Sequence, residues 1–330
     1  MANHIPVHIT YPPEKESLTL LKELLDSTFT LTTGSTIKNK QTLQYLVNGR
    51  PKKENLQTCP NLKAVIVPFA GIPAATQSMM QKFPHVKLHN LHHNAIPVVE
   101  HTLALLLAAC KHIIQPHDAL AQNDWRPRYT TNPTILLQGK TALLLGYGAI
   151  GSRLAKVLHA LNMQIMAIRN SINTVGKDRF ATIYPSRSLY ELLPHADIMI
   201  NTLPLTKDTQ GIIGKRELAR LPKGAVVVNI GRGKVIEQDA FYQALKSGHL
   251  GGAAIDVWYH YPENEEARSD TAPADYPFGQ LDRVVLSPHR AGGLHSDATE
   301  RLRMEHLAAL LNHAARGEAL PNHVDINKGY

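Results

Sequence analysis

Cysteine is nearly absent from the 330 residues: Cys59 and Cys110 are the two, far apart and without a metal-type spacing. Neither a disulfide framework nor a cysteine-based zinc site is suggested, and both thiols are expected to be reduced. Long hydrophobic runs are missing as well. The longest, Leu103 to Cys110, falls far short of the roughly 18 apolar residues that cross a bilayer. Met1-Ala2-Asn3-His4-Ile5-Pro6 lacks the charged-then-apolar order of a secretion signal. A cytoplasmic protein with no membrane partner is therefore expected. Clusters of one charge are also lacking. The formal charge is +8 with 18 further histidines, but Lys and Arg form no run longer than a pair such as Lys52-Lys53 and do not interleave with aromatics. That distribution argues against nucleic acid and leaves small anions as the natural partners.

What is present is an alternation of short β-type runs with helical patterns, the signature of parallel sheets built from βαβ units. One series holds Val7–Ile9, Thr28–Leu31, Ala64–Val67 and Val86–Leu88, with a helix pattern over Glu14–Leu25. A long apolar helix is predicted over Val98–Ile114 as a bridge between domains. The polar, proline-punctuated stretch Gln115–Gln138 reads as a loop. The second series runs through Thr141–Leu145, Gln164–Ile168, Ile198–Asn201, Ala225–Asn229, Gly252–Ile255 and Val284–Leu286. Helices are predicted at Ala149–Ala160, Lys215–Arg220 and Gln238–Ser247. Six strands in this order suit a doubly wound sheet. A final helix over Ser296–Arg316 ends near Gly317 and leaves a tail to Tyr330.

Gly146, Gly148 and Gly151 stand at G-x-G-x-x-G spacing between an apolar strand and a helical pattern, the context that gives this motif its specificity. Gly146 allows the tight turn, Gly148 lets backbone approach a pyrophosphate, and Gly151 lets helix and strand pack. Tyr147, Ala149 and Ile150 complete the cofactor loop. An acidic residue about 20 positions on accepts the ribose 2′-hydroxyl in NAD binders. Here the second strand ends instead in Arg169-Asn170-Ser171. A guanidinium and a hydroxyl suit a 2′-phosphate, so NADP(H) is favoured over NAD(H); the alternative is that Arg169 stacks on adenine or points to solvent.

Four further segments fall at predicted strand ends: Asn201–Thr206, Asn229–Gly233, Asp256–Trp258 and Ser287–Gly292. Strand C-terminal ends line the ligand crevice of an open α/β sheet, so the four should converge. In this order, and together with Phe69–Ile72 and Asn94–His101, they resemble the D-2-hydroxyacid dehydrogenase family over nearly the whole chain. The resemblance implies a Rossmann nucleotide domain (101–294) inserted in a smaller flavodoxin-like α/β substrate domain (1–100, completed by 295–330), and a homodimer. It implies that Arg232 is the catalytic arginine, holding a carboxylate and polarising a carbonyl. It implies that His289 is the general acid/base, and that Ala70, Gly71 and Ile72 bind the substrate carboxylate through backbone N–H groups, with Asn94 also in the cleft. Cofactor contacts are implied at Leu203, Pro204, Thr209, Ile230, Gly231, Asp256, Ala291 and Gly292. The other histidines read as surface or core residues, although His92 or His93 could face the cleft. His89–His93 does not read as a metal site, since no carboxylate or thiol joins it.

One position departs from the family. Where most members carry a glutamate that supports the catalytic histidine, five residues after the aspartate, this chain has Tyr261. A neutral phenol supports an imidazolium less well, so the pKa of His289 should be low. Glu263 reads as a solvated loop charge. Locally, Asp256–Pro262 is similar to the formate dehydrogenases of the same superfamily. Three readings stay open: reduction of a small 2-oxo acid of glyoxylate or hydroxypyruvate size, hydride abstraction from formate or another small oxyanion, and a nucleotide-sensing, corepressor-like binding protein. Arg232 and His289 together favour the first two.

Overall fold

A computed structural model describes residues 4–129, 133–293 and 296–329. The chain divides into two compact units, the first formed by 1–94 with 293–330 and the second by 95–292. The expected boundary between 294 and 295 falls outside the described residues, as do the first three residues of the chain, positions 130–132 of the expected loop and the last residue of the tail.

In the first unit, β1 (Ile5–Ile9), β2 (Phe29–Thr33), β3 (Tyr45–Val47), β4 (Ala64–Val67) and β5 (Lys87–Asn90) form a parallel sheet in the order β2-β1-β3-β4-β5, the flavodoxin-like order. β3 is too short at three residues to stand out as a periodic run, and it was not anticipated. Both faces are covered. The C-terminal helix Asp297–Ala315 puts Met304, Leu307 and Leu311 against Val7, Tyr45 and Ile66. On the other side Met80 and Val324 meet Leu46, Val65 and Leu88. The helix starts where Ser296 caps the Thr299 N–H and stops before Gly317 at φ +71°, matching the expected ends to within a residue. It thus returns the chain to the sheet it left at residue 94.

The second unit holds β6 (Thr141–Leu145), β7 (Gln164–Arg169), β8 (Gly176–Lys177), β9 (Thr182–Pro185), β10 (Ile198–Asn201), β11 (Val226–Asn229), β12 (Gly252–Ile255) and β13 (Val284–Leu286). Their order is β13-β12-β11-β10-β6-β7-β9-β8, parallel except for the β8–β9 hairpin. The six expected strands are present, and β8 and β9 are added. β8 consists of two exposed residues and β9 ends in Pro185, so neither carries a periodic signal. β6, β10 and β11 are buried almost throughout because apolar layers cover both faces, one built on Leu144, Ile200 and Val228, the other on Leu143, Met199 and Val227.

The helix expected as a domain bridge runs from Ala95 to Lys111, earlier than expected, lies wholly in the second unit and ends at His112, whose φ is +51°. The stretch read as a loop contains a second helix, Ile114–Leu120, and a 3-10 turn, Arg126–Tyr129. Pro116 sits in the first turn of that helix, where a missing N–H removes no intrahelical bond; there a proline does not break the helix.

Candidate functional site

The sheet order of the second unit reverses between β6 and β10, and the loops leaving these two neighbours form the crevice of a doubly wound fold. The glycine loop fits a dinucleotide. Gly146 has φ +104°, and a Cβ on Gly151 would stand 2.2 Å from the Gly146 carbonyl oxygen, so the helix Gly151–Ala160 packs against the turn only without side chains there. Around Gly148 nothing lies within 4 Å of a would-be Cβ, which leaves its backbone open to a phosphate. Tyr147 is buried, and its hydroxyl donates to Asp178 in the β8–β9 hairpin.

At the end of β7, Arg169 is exposed and its Nε donates to Ser171 Oγ at 2.8 Å. Guanidinium and hydroxyl are thus presented together. Asn170 accepts from Ser186 at 3.1 Å, and Arg187 Nη2 donates to the Asn173 carbonyl at 2.5 Å. These bonds tie the 170–173 turn to the chain after β9. The geometry suits a doubly charged phosphate.

β10 and β11 both end in a buried asparagine, and these two form a ladder with a direct bearing on Arg232. Asn201 accepts the Leu203 N–H at 3.0 Å and donates to Asn229 at 2.9 Å, and Asn229 donates to the Arg232 carbonyl at 3.3 Å. The loop before Leu203–Pro204 and the loop bearing Arg232 are therefore tied side chain to backbone. Thr209 closes the first of them by donating to the Pro204 carbonyl at 2.6 Å. Ile230 is buried, and a Cβ on Gly231 would stand 2.6 Å from the Leu203 carbonyl oxygen, so only glycine permits this approach. Arg232 Nη1 donates to the Gly231 carbonyl at 2.6 Å. Burial lowers the Arg232 pKa, opposed by Tyr261.

The last loop is organised by Asp256, which is wholly buried. Its oxygens accept from Ser287 Oγ at 2.5 Å, from the Arg290 N–H at 2.8 Å and from the Ala291 N–H at 3.1 Å. Trp258 Nε1 holds the Ser287 carbonyl at 2.8 Å. Within this clamp His289 adopts φ +57°, a left-handed conformation that side-chain-bearing residues take at some cost. Its ring lies 5.5 Å from that of Tyr261, tilted by 52°. Neighbouring protein desolvates the imidazole and lowers its pKa, Asp256 opposes this, and Arg232 adds to the lowering. Arg232, Tyr261 and His289 thus share one electrostatic environment. The Tyr261 hydroxyl accepts the Trp258 N–H at 3.1 Å, and burial raises its pKa, so the phenol stays neutral. Glu263 is exposed, as expected of a solvated loop charge. Ala291 is buried and Gly292 follows it at the end of the second unit.

Ala70, Gly71, Ile72 and Asn94 belong to the first unit. The loop after β4 is fastened by Asn90 Nδ2, which donates to the Ala70 carbonyl at 2.6 Å, and by Phe69, whose ring lies where a Cβ on Gly49 would be. His93 is buried, and burial together with the Arg303 charge brings its pKa down to about 4.

Sequence reasoning gave no role to Asn201, Asn229, Ser287 or His101, whose Nε2 lies 2.8 Å from Ser287 Oγ. The signal available for the asparagines was a polar residue closing an otherwise apolar strand. For His101 there was none, because its partner lies 186 positions away.

A family profile described as "D-isomer specific 2-hydroxyacid dehydrogenase, NAD binding domain" matches residues 103–291. A glyoxylate reductase of Aeropyrum pernix is 34% identical over 232 residues, 68% of this chain and 65% of that protein. This chain therefore spans just under two thirds of that relative. One from Thermofilum pendens is 31% identical over 288 residues, 83% of this chain and 77% of that protein. Among solved structures, a D-isomer specific 2-hydroxyacid dehydrogenase of Xanthobacter autotrophicus Py2 in complex with NADPH and MES superposes with a TM-score of 0.79 at 22% identity, covering 100% of both chains. The profile spans more than half of the chain and the second relative is matched over most of its length, so this chain belongs to the D-isomer specific 2-hydroxyacid dehydrogenase family.

Proposed function

We propose that the chain is an NADP(H)-dependent reductase of small 2-oxo acids, of glyoxylate or hydroxypyruvate size. The observation that carries this is the grouping of Arg232, Tyr261 and His289 on loops anchored at the ends of β11, β12 and β13. A fixed cation and a titrating imidazole are what a carbonyl reduction asks of the protein. The relatives named glyoxylate reductases support the substrate class. Arg169 with Ser171 supports the choice of NADP(H).

When bound, the nicotinamide supplies or takes up a hydride. Arg232 holds the substrate carboxylate and polarises the adjacent carbonyl, drawing electron density to its oxygen. As the carbonyl carbon gains hydride, the oxygen becomes an alkoxide, and His289 in its imidazolium form gives it a proton. Oxidation of the hydroxy acid runs the same proton back to neutral His289. The first unit offers the backbone N–H groups of Ala70, Gly71 and Ile72 as anion donors of its own, with Asn94 in the same unit.

Tyr261 gives specific support to a second reading. Hydride abstraction from formate leaves no alkoxide to protonate, and a neutral neighbour to His289 is adequate for it. Loss of absorbance at 340 nm with NADPH and a panel of 2-oxo acids supports the first reading. Gain of absorbance with formate and NADP or NAD, and no turnover of the panel, would replace it by the second. A homodimer is part of the proposal, seated on the segment that exposes Ile113, Leu120, Trp125 and Tyr129; a monomer by light scattering at micromolar concentration would remove it.

A further inference from the structure

Among the described residues no side chain hydrogen-bonds a ring nitrogen of His289, so the ring is aimed by the turn that carries it. That turn hangs from Asp256, and Asp256 is joined to a residue far away in sequence. Ser287 Oγ lies 2.5 Å from Asp256 Oδ1 and 2.8 Å from His101 Nε2, with His101 Nε2 itself 3.6 Å from Asp256 Oδ1. The serine hydroxyl has one proton to give. Asp256 already accepts two backbone N–H groups, as an ionised carboxylate does, so the Ser287 proton points to it. The remaining contact can be completed only by a proton on His101 Nε2. The result is a directed chain, from His101 Nε2–H to Ser287 Oγ–H to Asp256, which ends on the N–H groups of the two residues following His289.

We propose that His101, on the helix Ala95–Lys111, is a positioning residue for proton transfer: through Ser287 and Asp256 it holds the Ser287–Ala291 turn, and with it the left-handed backbone of His289. This rests on the reading of His289 as the acid/base. Three constraints on one short turn, from Asp256, Trp258 and His101, over-determine a conformation that a histidine would otherwise leave. In a chain with Tyr261 where most of the family has a carboxylate, this fixation replaces a direct ionic partner as the means of orienting the ring. His101 reaches neither substrate nor cofactor in this scheme; its effect passes wholly through Ser287.

The test compares His101→Ala, His101→Gln, Ser287→Ala and the His101→Ala/Ser287→Ala double variant in the full-length protein. Small displacements of a catalytic group cost up to about a hundred-fold in rate. His101→Ala is expected to lower kcat about ten- to a hundred-fold while KM for NADPH stays within about two-fold. His101→Gln, whose amide N–H can still reach Ser287, should recover most of that loss. Ser287→Ala should match His101→Ala, and the double variant should be no worse than either single, because one chain broken twice is still one broken chain. Unchanged kcat in His101→Ala, no recovery by Gln, or additive losses would overturn the proposal. A second readout needs no turnover: in histidine-labelled protein, the ring resonances of His289 should move in His101→Ala and return in His101→Gln. Should the wild type reduce no 2-oxo acid, the functional reading falls, and these resonances still decide whether His101 positions His289.

Discussion

The two units solve the same packing problem, a parallel sheet covered on both faces, but differ in how they hold their candidate functional loops. In the second unit almost every such loop is fastened by a buried side chain: Asn201 and Asn229 for the segments at Leu203 and Arg232, and Asp256 with Trp258 for the segment at His289. In the first unit the loop at Ala70–Ile72 has one such tie, from Asn90. The buried polar side-chain atoms without a protein partner among the described residues also lie in the first unit, at His89, His93, Asn94 and Arg303. A buried group left in this condition costs about 1–3 kcal/mol. The second unit is thus preorganised for chemistry, and the first keeps its polar groups in less settled surroundings. For the proposed reaction this division makes sense, since proton and hydride transfer need the tighter geometry.

The largest expected effect lies in the second unit. Replacing His289 by Ala should remove roughly a hundred- to ten-thousand-fold in turnover, with NADPH affinity within a few-fold, since in the proposed reading the fingerprint and Arg169 hold the cofactor. Near-normal turnover would break the comparison at its strongest point.

A smaller effect is expected from the first unit and is read as stability. His93 has its pKa near 4 in the fold against an ordinary 6.5. Between those values the unfolded chain binds a proton that the fold excludes, so stability falls as pH drops through that window. The difference amounts to at most about 3 kcal/mol. Urea unfolding at pH 7 and pH 4.5 should show a smaller acid loss for His93→Gln than for the wild type. An equal loss in both would show that His93 is not held neutral.

A finer test concerns Tyr261. In the proposed reaction, reduction needs protonated His289, whose pKa lies below the ordinary histidine value. Hence kcat/KM for reduction should decline as pH rises through that low value. Tyr261→Glu places an anion beside the ring and should carry the decline to higher pH. A profile identical to that of the wild type would mean that residue 261 does not act on His289.

Much of this was legible in the sequence where local chemistry and periodicity agree. The apolar run Thr141–Leu145 followed by three spaced glycines had one consistent reading, and so did the helix from Ser296 with Gly317 beyond. Short edge elements were not legible: Gly176–Lys177 carries no pattern, and the prolines of Gln115–Gln138 point to a loop although Pro116 sits where a helix tolerates it. For the site, residue types at strand ends marked Arg232 and His289. What held them could not be read, because Asn201 to Asn229 and His101 to Ser287 are pairings created by strand order, between residues 28 and 186 positions apart.

The central claim is that the second unit binds NADPH through residues of its own, with Arg169 at the 2′-phosphate. The direct measurement is the ratio of NADPH to NADH dissociation constants for the wild type and for Arg169→Asp, by fluorescence titration at one fixed low salt concentration. A charge-assisted pair contributes about 1.5–3 kcal/mol, roughly ten- to a hundred-and-fifty-fold. The wild type should prefer NADPH by a factor in that range, and Arg169→Asp should turn the preference to NADH. A wild type that binds NADH more tightly, or a ratio unchanged by the substitution, would contradict the account.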